Sequence, residues 1–376
     1  MIYADNAATT KLDIEVFEAM KPYLLEEYGN ASQPYSFARA PKKQLKEARA
    51  VIASCIGASP EEIFFTSCGT ESDNWAIKGS SLRNREKRAT ITTAFEHHAL
   101  LHSCEAIERQ GFPVSYMWPE KNGTVSAETL ERHITDQTYL VSVMFANNEI
   151  GSIQPIKELC AVAHSHGAMF HTDAVQAVGH IPIDVHKLQI DMLSASAHKF
   201  NGPKGIGFLY IRKGIDLPPY MDGGAQESGH RAGTENIASI VGMAAALKVN
   251  CSALESNRSH LLSLEKELLS RLDTAGVVYA RNGGNDTLPG LLSLSFPGQS
   301  GEALLHRLDL MGICVSTGSA CDSKNTQISH VLKAIGLDEQ YATGTIRISM
   351  GKNNTPEEAI QIAQALIKIM KGLSSK

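Results

Sequence analysis

The sequence lacks several features that mark whole classes of protein. No apolar run approaches the length of a membrane-spanning helix, about 20 residues, and the start Met1 to Asp5 lacks the basic and apolar regions of a signal peptide. The 35 Lys and Arg residues are interspersed with 40 Asp and Glu residues, for a net charge of −5, and they form no basic stripe. We therefore expect no membrane association and no direct binding of nucleic acid.

Cysteine is also sparse. The seven cysteines are odd in number and scattered over the 376 residues, and no Cys-x-x-Cys pair occurs. This spacing favours neither a disulfide framework nor a zinc site, and free thiols fit a cytoplasmic protein. His98 and His102, spaced i, i+4, leave a zinc site open as an alternative, although no third ligand is evident in the sequence. We expect no metal.

Between residues 60 and 212, short apolar runs alternate with amphipathic helical segments, and polar residues follow the end of each run. This alternation predicts an α/β domain with a mostly parallel sheet flanked by helices. No internal repeat or low-complexity tract interrupts it. Past about residue 255 the strands and helices change pattern, which predicts a second, smaller α/β domain. We place the large domain at residues 15–255 and the small domain at residues 1–14 and 256–376.

Two of the polar residues at run ends suggest a cofactor. Lys199 follows an apolar run that ends in Ser194 and Ser196, and Asp173 ends the preceding run. Parallel strands would bring both residues to one crevice at the carboxyl edge of the sheet. A lysine that forms an imine and an aspartate that pairs with a pyridine nitrogen suit pyridoxal phosphate. From these two residues alone, a salt bridge or a helix cap at Asp173 remains an alternative.

A site for an anion is predicted upstream. The apolar run of residues 63–66 leads into a turn of small residues that contains Gly69 and Thr70, and we predict a helix from Trp75. Free amides and the positive end of a helix would face an anion there, although an ordinary capped helix start is also possible. His97, at the end of the next apolar run, is placed to lie flat over an aromatic cofactor.

The predicted small domain carries two further candidates. Cys321 lies in a polar stretch, residues 315–327, where its small neighbours would leave the thiol exposed and reactive. Arg347 lies between Ile346 and Ile348, where a strand would otherwise carry a core residue. A guanidinium fixed in a strand suits a bidentate grip on a carboxylate.

With these residues in place, the whole chain resembles the cysteine desulfurases of the NifS type, in the class V branch of the fold-type I pyridoxal phosphate enzymes. The resemblance rests on ordered motifs: Tyr3-Ala-Asp-Asn-Ala-Ala-Thr-Thr, Thr66-Ser-Cys-Gly-Thr-Glu-Ser-Asp-Asn, Asn148-Glu-Ile-Gly, His171-Thr-Asp-Ala-Val-Gln, Ser196-Ala-His-Lys, Arg231-Ala-Gly-Thr-Glu-Asn, Ser319-Ala-Cys and Arg347-Ile-Ser. It implies the fold of those enzymes, a homodimer, and pyridoxal 5'-phosphate as the cofactor.

The resemblance also implies residue roles. Lys199 would hold the cofactor and act as the base, Asp173 would pair with the ring nitrogen, and His97 would stack on the ring. The other implied cofactor contacts are Asn148, Gln176, Gly69, Thr70, Ser196, His198 and, from the second subunit, Thr234. Arg347 and Asn148 would bind the substrate.

The implied reaction removes sulfur from L-cysteine, giving L-alanine and a persulfide on Cys321. The persulfide would then pass to a sulfur acceptor, either an iron–sulfur scaffold protein or a tRNA-thiolating enzyme. A selenocysteine lyase, or another pyridoxal phosphate-dependent lyase or aminotransferase on the same fold, remains an alternative.

Overall fold

The computed structural model describes residues 1–83, 86–318 and 328–374. Its strands are β1 (Ile2–Tyr3), β2 (Ile63–Thr66), β3 (Ala89–Thr93), β4 (Val114–Met117), β5 (Thr138–Ser142), β6 (Met169–Asp173), β7 (Met192–Ser196), β8 (Gly207–Ile211), β9 (Ala280–Asn282), β10 (Leu291–Ser295), β11 (Ile313–Cys314) and β12 (Thr345–Ser349). Its α-helices are α1 (Ile14–Leu25), α2 (Arg39–Cys55), α3 (Gly69–Arg83), α4 (His98–Glu108), α5 (Ala127–His133), α6 (Ile156–Ser165), α7 (Val185–Leu188), α8 (Ile237–Ser252), α9 (Leu254–Thr274), α10 (Gly301–Asp309), α11 (His330–Ala334), α12 (Glu339–Ala342) and α13 (Pro356–Ser374).

A seven-stranded sheet forms the centre of the molecule, in the order β2-β8-β7-β6-β5-β3-β4. The strands from β7 to β4 along this order are parallel to one another, whereas β8 is antiparallel to both β7 and β2. The link from β7 to β8 is too short for a crossover helix, so the chain returns antiparallel. The prediction of a mostly parallel sheet flanked by helices is confirmed.

Two smaller sheets lie outside the central one. The order β12-β10-β9 forms an antiparallel sheet, and β1 pairs in parallel with β11. Ile2 and Ala4 join a second apolar core with side chains of α9, α10 and α13. The start of the chain therefore packs with its last third, and the division into residues 15–255 and residues 1–14 with 256–376 stays a prediction.

Two elements begin at recognisable sequence signals. Asp13 stands at the N-cap position of α1, although its side chain makes no capping hydrogen bond, and Ser59 with Glu62 forms a capping box before β2. Helices α8 and α9 follow one another with a break at Ala253. In the described parts of the chain no single helix could cross a membrane, and only the pair α8 and α9, bent by 72°, reaches the necessary length and composition jointly.

One difference in element bounds affects the site. The helix predicted from Trp75 starts six residues earlier, because α3 begins at Gly69. Gly69 and Thr70 are therefore the first two residues of the helix, and the turn that follows β2 consists only of Ser67 and Cys68. The positive helix end lies at the small residues themselves.

Candidate active site

The carboxyl ends of β6 and β7 hold the two residues singled out for a cofactor. The strands pair in parallel with Asp173 opposite Ser194, and Lys199 closes a short turn directly after β7. The Lys199 ammonium is close enough to Asp173 to favour its ionised form. The two side chains thus come to one edge of the sheet, as the strand pattern predicted.

The amine of Lys199 is bound by the start of the chain. Its Nζ donates to the carbonyl oxygens of Ala7 at 2.7 Å and Ala8 at 2.8 Å. Gln176 Nε2 donates to the same Ala7 oxygen at 2.9 Å. No local sequence signal marks Ala7 and Ala8 as site residues, since only their backbone takes part.

Asp173 is buried and its Oδ1 accepts a hydrogen bond from the Val175 amide at 2.9 Å. Burial raises the pKa of Asp173 to about 6, against the opposing effects of the Val175 amide and Lys199. A cationic partner at Oδ2 would reverse this shift, because an opposite charge favours the carboxylate. Asp173 is therefore suited to bind a protonated ring nitrogen.

A second buried carboxyl group, Asp73 on α3, lies behind Asp173 and was not identified from the sequence. Burial, and next the charge of Asp173, raise the pKa of Asp73 well above its ordinary value. Its Oδ1 lies 3.8 Å from His171 Nε2, but burial lowers the pKa of His171 to about 3, so this imidazole is neutral. Both effects favour the protonated form of Asp73, and the neutral His171 does not offset them.

His97 caps helix α4. Its Nδ1 accepts a hydrogen bond from the Ala99 amide at 3.1 Å, which assigns the neutral ring with its hydrogen on Nε2. Burial, followed by the charge of Lys199, lowers the pKa of His97 to about 4. A neutral imidazole held by its cap can stack on an aromatic ring without a charge penalty.

The predicted anion site lies where α3 begins. Among the described residues Ser196 Oγ has no hydrogen-bond partner although it is buried. Thr70 is exposed and lines the same open surface cavity as His97. A Cβ on Gly69 would lie 2.5 Å from Val175 Cγ2, so only glycine fits between α3 and the segment after β6.

The remaining predicted cofactor residues differ in how far the structure brings them together. His198 Nδ1 lies 3.1 Å from Thr9 Oγ1, and burial, with Lys199 next, lowers the pKa of His198 to about 4. Thr234 is exposed, and among the described residues no hydrogen bond joins it to the site. It follows Arg231, whose Nε donates to Glu71 Oε1 at 2.8 Å.

Arg347, on β12, lies across the start of the chain from Lys199. Its Nη2 donates to Asp5 Oδ1 at 2.8 Å and its Nη1 donates to the Asn148 carbonyl oxygen at 2.7 Å. The Nε–H is buried and has no partner among the described residues. A guanidinium fixed on two sides with a donor left over is suited to a carboxylate ligand.

Cys321 lies outside the described residues, but the chain that leads to it is described. Ser316 exchanges backbone hydrogen bonds with Arg347, at 2.6 Å to the Ser316 carbonyl oxygen and 3.0 Å from the Ser316 amide. The segment of residues 319–327 therefore begins three residues beyond a direct pairing with Arg347.

The histidines considered for zinc are close together without forming a metal site. The ring centroids of His98 and His102 are 5.3 Å apart, and those of His98 and His330 are 4.7 Å apart. Within the described part of the chain no group of three or more His, Cys, Asp or Glu residues has an arrangement that could hold a metal ion.

The chain resembles known proteins over almost its full length. Residues 2–362 match the family model described as aminotransferase class-V. The cysteine desulfurase IscS of Methanosarcina thermophila is 46% identical over 373 residues, covering 99% of this chain and 92% of that protein.

Solved structures give the same result. One described as a NifS-like protein has a TM-score of 0.93 and 39% identity, covering 98% of this chain and 99% of its own. Another, described as SspA in complex with cysteine, has a TM-score of 0.84 and 36% identity, covering 94% of this chain and 100% of its own. The chain belongs to the aminotransferase class-V family.

Proposed function

We propose that this chain is a pyridoxal phosphate-dependent cysteine desulfurase that acts on L-cysteine. The observation that carries the proposal is that Lys199 and Arg347 both bind residues 5–8 and that Lys199 acts on the buried Asp173, in a chain similar over nearly its full length to proteins named as cysteine desulfurases. An amine, a buried carboxyl group and a fixed guanidinium are the groups that a cofactor-bound amino acid needs.

The residues present fit pyridoxal 5'-phosphate. The amides at the start of α3 and the unpartnered hydroxyl of Ser196 would bind its phosphate, together with Thr70 and His198. Asp173 would pair with the ring nitrogen, and Gln176 and Asn148 would lie on the phenolic side. When bound, the cofactor supplies an electron sink for carbanion chemistry.

The chain's own groups would carry out the remaining tasks. Arg347 would bind the carboxylate of L-cysteine through its free Nε–H and a second guanidinium donor. Lys199 would hold the cofactor through Nζ and, once released by substrate, take the proton from the substrate Cα. His97 would stay neutral over the ring, because its pKa lies well below the physiological range.

Cys321 would receive the sulfur. Its thiolate attacks the substrate sulfur, a sulfur–sulfur bond forms, and the substrate carbon–sulfur bond breaks with the electron pair remaining on carbon. That carbon takes up a proton, so L-cysteine and the Cys321 thiol become L-alanine and a Cys321 persulfide. The reaction balances without an external oxidant or reductant.

The assembly and the partners of the enzyme belong to the same proposal. We infer a homodimer in which Thr234 of a second copy reaches the phosphate, consistent with its exposure here. The persulfide would pass to an iron–sulfur scaffold or to a tRNA-thiolating enzyme. The six described cysteines are free thiols, which supports a reducing compartment such as the cytoplasm.

The test is mass spectrometry of the purified protein after incubation with L-cysteine and no reductant, with alanine assayed in the same tube. We expect one added sulfur on the Cys321 peptide, matched by alanine, and neither in Lys199→Ala. Cys321→Ser should bind L-cysteine without releasing an equivalent of alanine. Alanine or pyruvate without sulfur on Cys321 would instead indicate another lyase or aminotransferase. A selenocysteine lyase would turn over L-selenocysteine faster than L-cysteine, and its rate would be the same in Cys321→Ser as in the wild type.

A further inference from the structure

Glu149 is a buried carboxylate beside Arg347 that the proposed reaction does not use. It is 5% exposed and lies in the turn after β5. Its Oε2 accepts a hydrogen bond from Ser329 Oγ at 2.6 Å. The same oxygen lies against Gly318, where an added Cβ would overlap it. One carboxylate oxygen therefore contacts both described ends of the chain that flank residues 319–327.

The turn that carries Glu149 is firmly held. Asn147 Oδ1 accepts hydrogen bonds from the amides of Glu149 at 2.8 Å and Ile150 at 3.0 Å. Asn147 Nδ2 in turn donates to the Phe95 carbonyl oxygen at 3.0 Å. The carboxylate is thus presented from a turn that Asn147 holds in place, because every polar atom of the buried Asn147 side chain is engaged.

The same turn reaches Arg347. The carbonyl oxygen of Asn148, one residue before Glu149, accepts the hydrogen bond from Arg347 Nη1. Ser329 also accepts from the Val331 amide at 3.1 Å and so caps helix α11. Two consecutive residues, Asn148 and Glu149, therefore connect the guanidinium to Gly318, where the chain leaves for residue 319, and to Ser329, where helix α11 begins.

The electrostatics fit a group that must accept hydrogen bonds in a buried position. Burial raises the pKa of Glu149 to about 7, against the effects of the Ser329 hydroxyl and the Arg347 charge. Arg347, which is itself paired with Asp5, is the described cation whose charge lowers the pKa of Glu149. Burying an ionisable group at this position costs free energy, which the Ser329 hydroxyl and the Arg347 charge offset in part.

We propose that Glu149 is a positioning residue that holds both ends of the segment carrying Cys321 at a fixed distance from Arg347, and so sets the approach of the Cys321 thiol to the bound substrate. This inference rests on the proposed desulfurase function. Glu149 acts through Gly318 and Ser329, and it does not touch the reacting atoms.

The test compares Glu149→Ala with Glu149→Gln in single-turnover mixing with saturating L-cysteine. We expect Glu149→Ala to slow persulfide formation on Cys321 by about 10-fold to 100-fold, because a small misplacement of a reacting group has effects of this size. The first absorbance change of the bound cofactor on adding L-cysteine should keep its rate. Glu149→Gln, which retains an oxygen acceptor for Ser329, should recover most of the rate.

Glu265→Gln is the matched control. Glu265 is equally buried and accepts from the Gly290 amide at 2.6 Å, but it contacts neither Gly318 nor Ser329. Its substitution should leave persulfide formation at the wild-type rate. Persulfide formation at the wild-type rate in Glu149→Ala would overturn the inference.

Gly318 offers a second, independent variant. Its φ lies outside the left-handed region, so alanine is strained there only by the overlap with Glu149. Gly318→Ala should slow persulfide formation, and the double variant Gly318→Ala with Glu149→Ala should be no slower than Glu149→Ala alone. Additive losses would contradict a shared contact.

Hydrogen exchange separates this inference from the proposed function. Without substrate, Glu149→Ala should raise the exchange of α11 amides and leave that of α12 unchanged. If the wild type forms no persulfide, the proposed function fails, while the exchange result still decides whether Glu149 holds the segment ends. Unchanged exchange at α11 would overturn the inference alone.

Discussion

At the scale of single residues, the site contains two buried carboxyl groups that differ in their partners. Asp173 faces Lys199 and accepts from the Val175 amide, whereas Asp73 has a buried oxygen without a partner among the described residues. The charge of Asp173 raises the pKa of the buried Asp73, so the pair favours the proton on Asp73 and the charge on Asp173.

This assignment predicts opposite outcomes for two similar substitutions. Asp173→Asn should lower kcat with L-cysteine by at least about 100-fold, because it removes the charge that stabilises a protonated cofactor ring. Asp73→Asn should retain kcat within about threefold at pH 7, since an amide replaces a neutral acid. Steady-state assays of both variants at matched cofactor content provide the measurement, and equal losses would mean that Asp73 is ionised.

Glu96 gives a prediction about stability and pH. It is fully buried, its Oε1 accepts from Thr93 Oγ1 and the Met144 amide, both at 2.8 Å, and burial raises its pKa to about 8. The folded state therefore binds a proton that the unfolded state releases near pH 4.5, so stability should fall as pH rises from about 5 to about 8. Glu96→Gln keeps the acceptor oxygen and cannot ionise.

We expect Glu96→Gln to become more stable relative to the wild type as pH rises from about 5 to about 8. The difference between the two free energies of unfolding should change by on the order of a few kcal/mol. Urea titrations at pH 5.5, 7 and 8.5 would measure the difference. Glu61→Gln, at an exposed residue of the same type, should run parallel to the wild type. A Glu96→Gln curve that also stays parallel would show that Glu96 is ionised in the folded protein.

The residues that the sequence identified and those that it did not differ in a physical way. Lys199 and Asp173 were found because each ends an apolar run, and strand ends of a parallel sheet meet at one edge. Asp73, Glu96 and Glu149 lie in a helix or in connections, where acidic residues are usually solvated. Their burial is set by residues far away in the chain, which local patterns do not reveal.

At the scale of elements, the residue at which helix α3 begins determines the position of the proposed phosphate site. Gly69 is the first residue of the helix, and its Cα passes so close to Val175 that a Cβ would lie 2.5 Å from a methyl group. The predicted start at Trp75 was wrong because glycine, serine and threonine read as a turn when their tertiary contacts are unknown.

Gly69→Ala should therefore push the helix end away from the segment after β6. We expect a loss of about 1 to 3 kcal/mol in the free energy of unfolding, the usual effect of overpacking, and weaker binding of pyridoxal phosphate. Gly372→Ala, also in a helix but with open space for its Cβ, should not lower the free energy of unfolding and should leave cofactor binding unchanged. Denaturant titration and cofactor titration by absorbance give the two quantities, and a Gly69→Ala protein with unchanged cofactor affinity would argue against this helix end as the phosphate site.

Other elements followed sequence patterns closely. Strands β2, β3 and β12 lie where their apolar and β-branched runs predicted them. Strand β4 and helix α10 were missed, because β4 is an edge strand whose residues are mostly half-buried and α10 is a short amphipathic helix between loops. Such elements depend on the neighbours against which they pack rather than on a strong pattern of their own.

At the scale of the whole molecule, residues 2–10 connect the second apolar core, which contains Ile2 and Ala4, to the site. Ile2 pairs with Ile313, and the Ala7 amide donates to Ser349 Oγ at 2.9 Å. The carbonyl oxygen of the same Ala7 accepts from Lys199 and Gln176. A change in the small antiparallel sheet is therefore transmitted to the Lys199 amine through one peptide segment.

Ser349→Ala tests this connection. It leaves the buried Ala7 amide without a partner, and we expect a loss of about 1 to 3 kcal/mol in the free energy of unfolding. Ser293→Ala is the matched control, because Ser293 lies buried in the same sheet and accepts from Asn282 Nδ2 at 3.1 Å without touching residues 2–10. Both variants should lose stability, but only Ser349→Ala should raise KM for L-cysteine. In that variant alone residues 2–10 are displaced, which moves the carbonyl oxygens of Ala7 and Ala8 away from Lys199 and moves Asp5 away from Arg347. Denaturant titrations and steady-state assays on both proteins measure the two effects. An unchanged KM in a destabilised Ser349→Ala protein would mean that Lys199 and Arg347 themselves hold residues 2–10 at the site, independently of the small sheet.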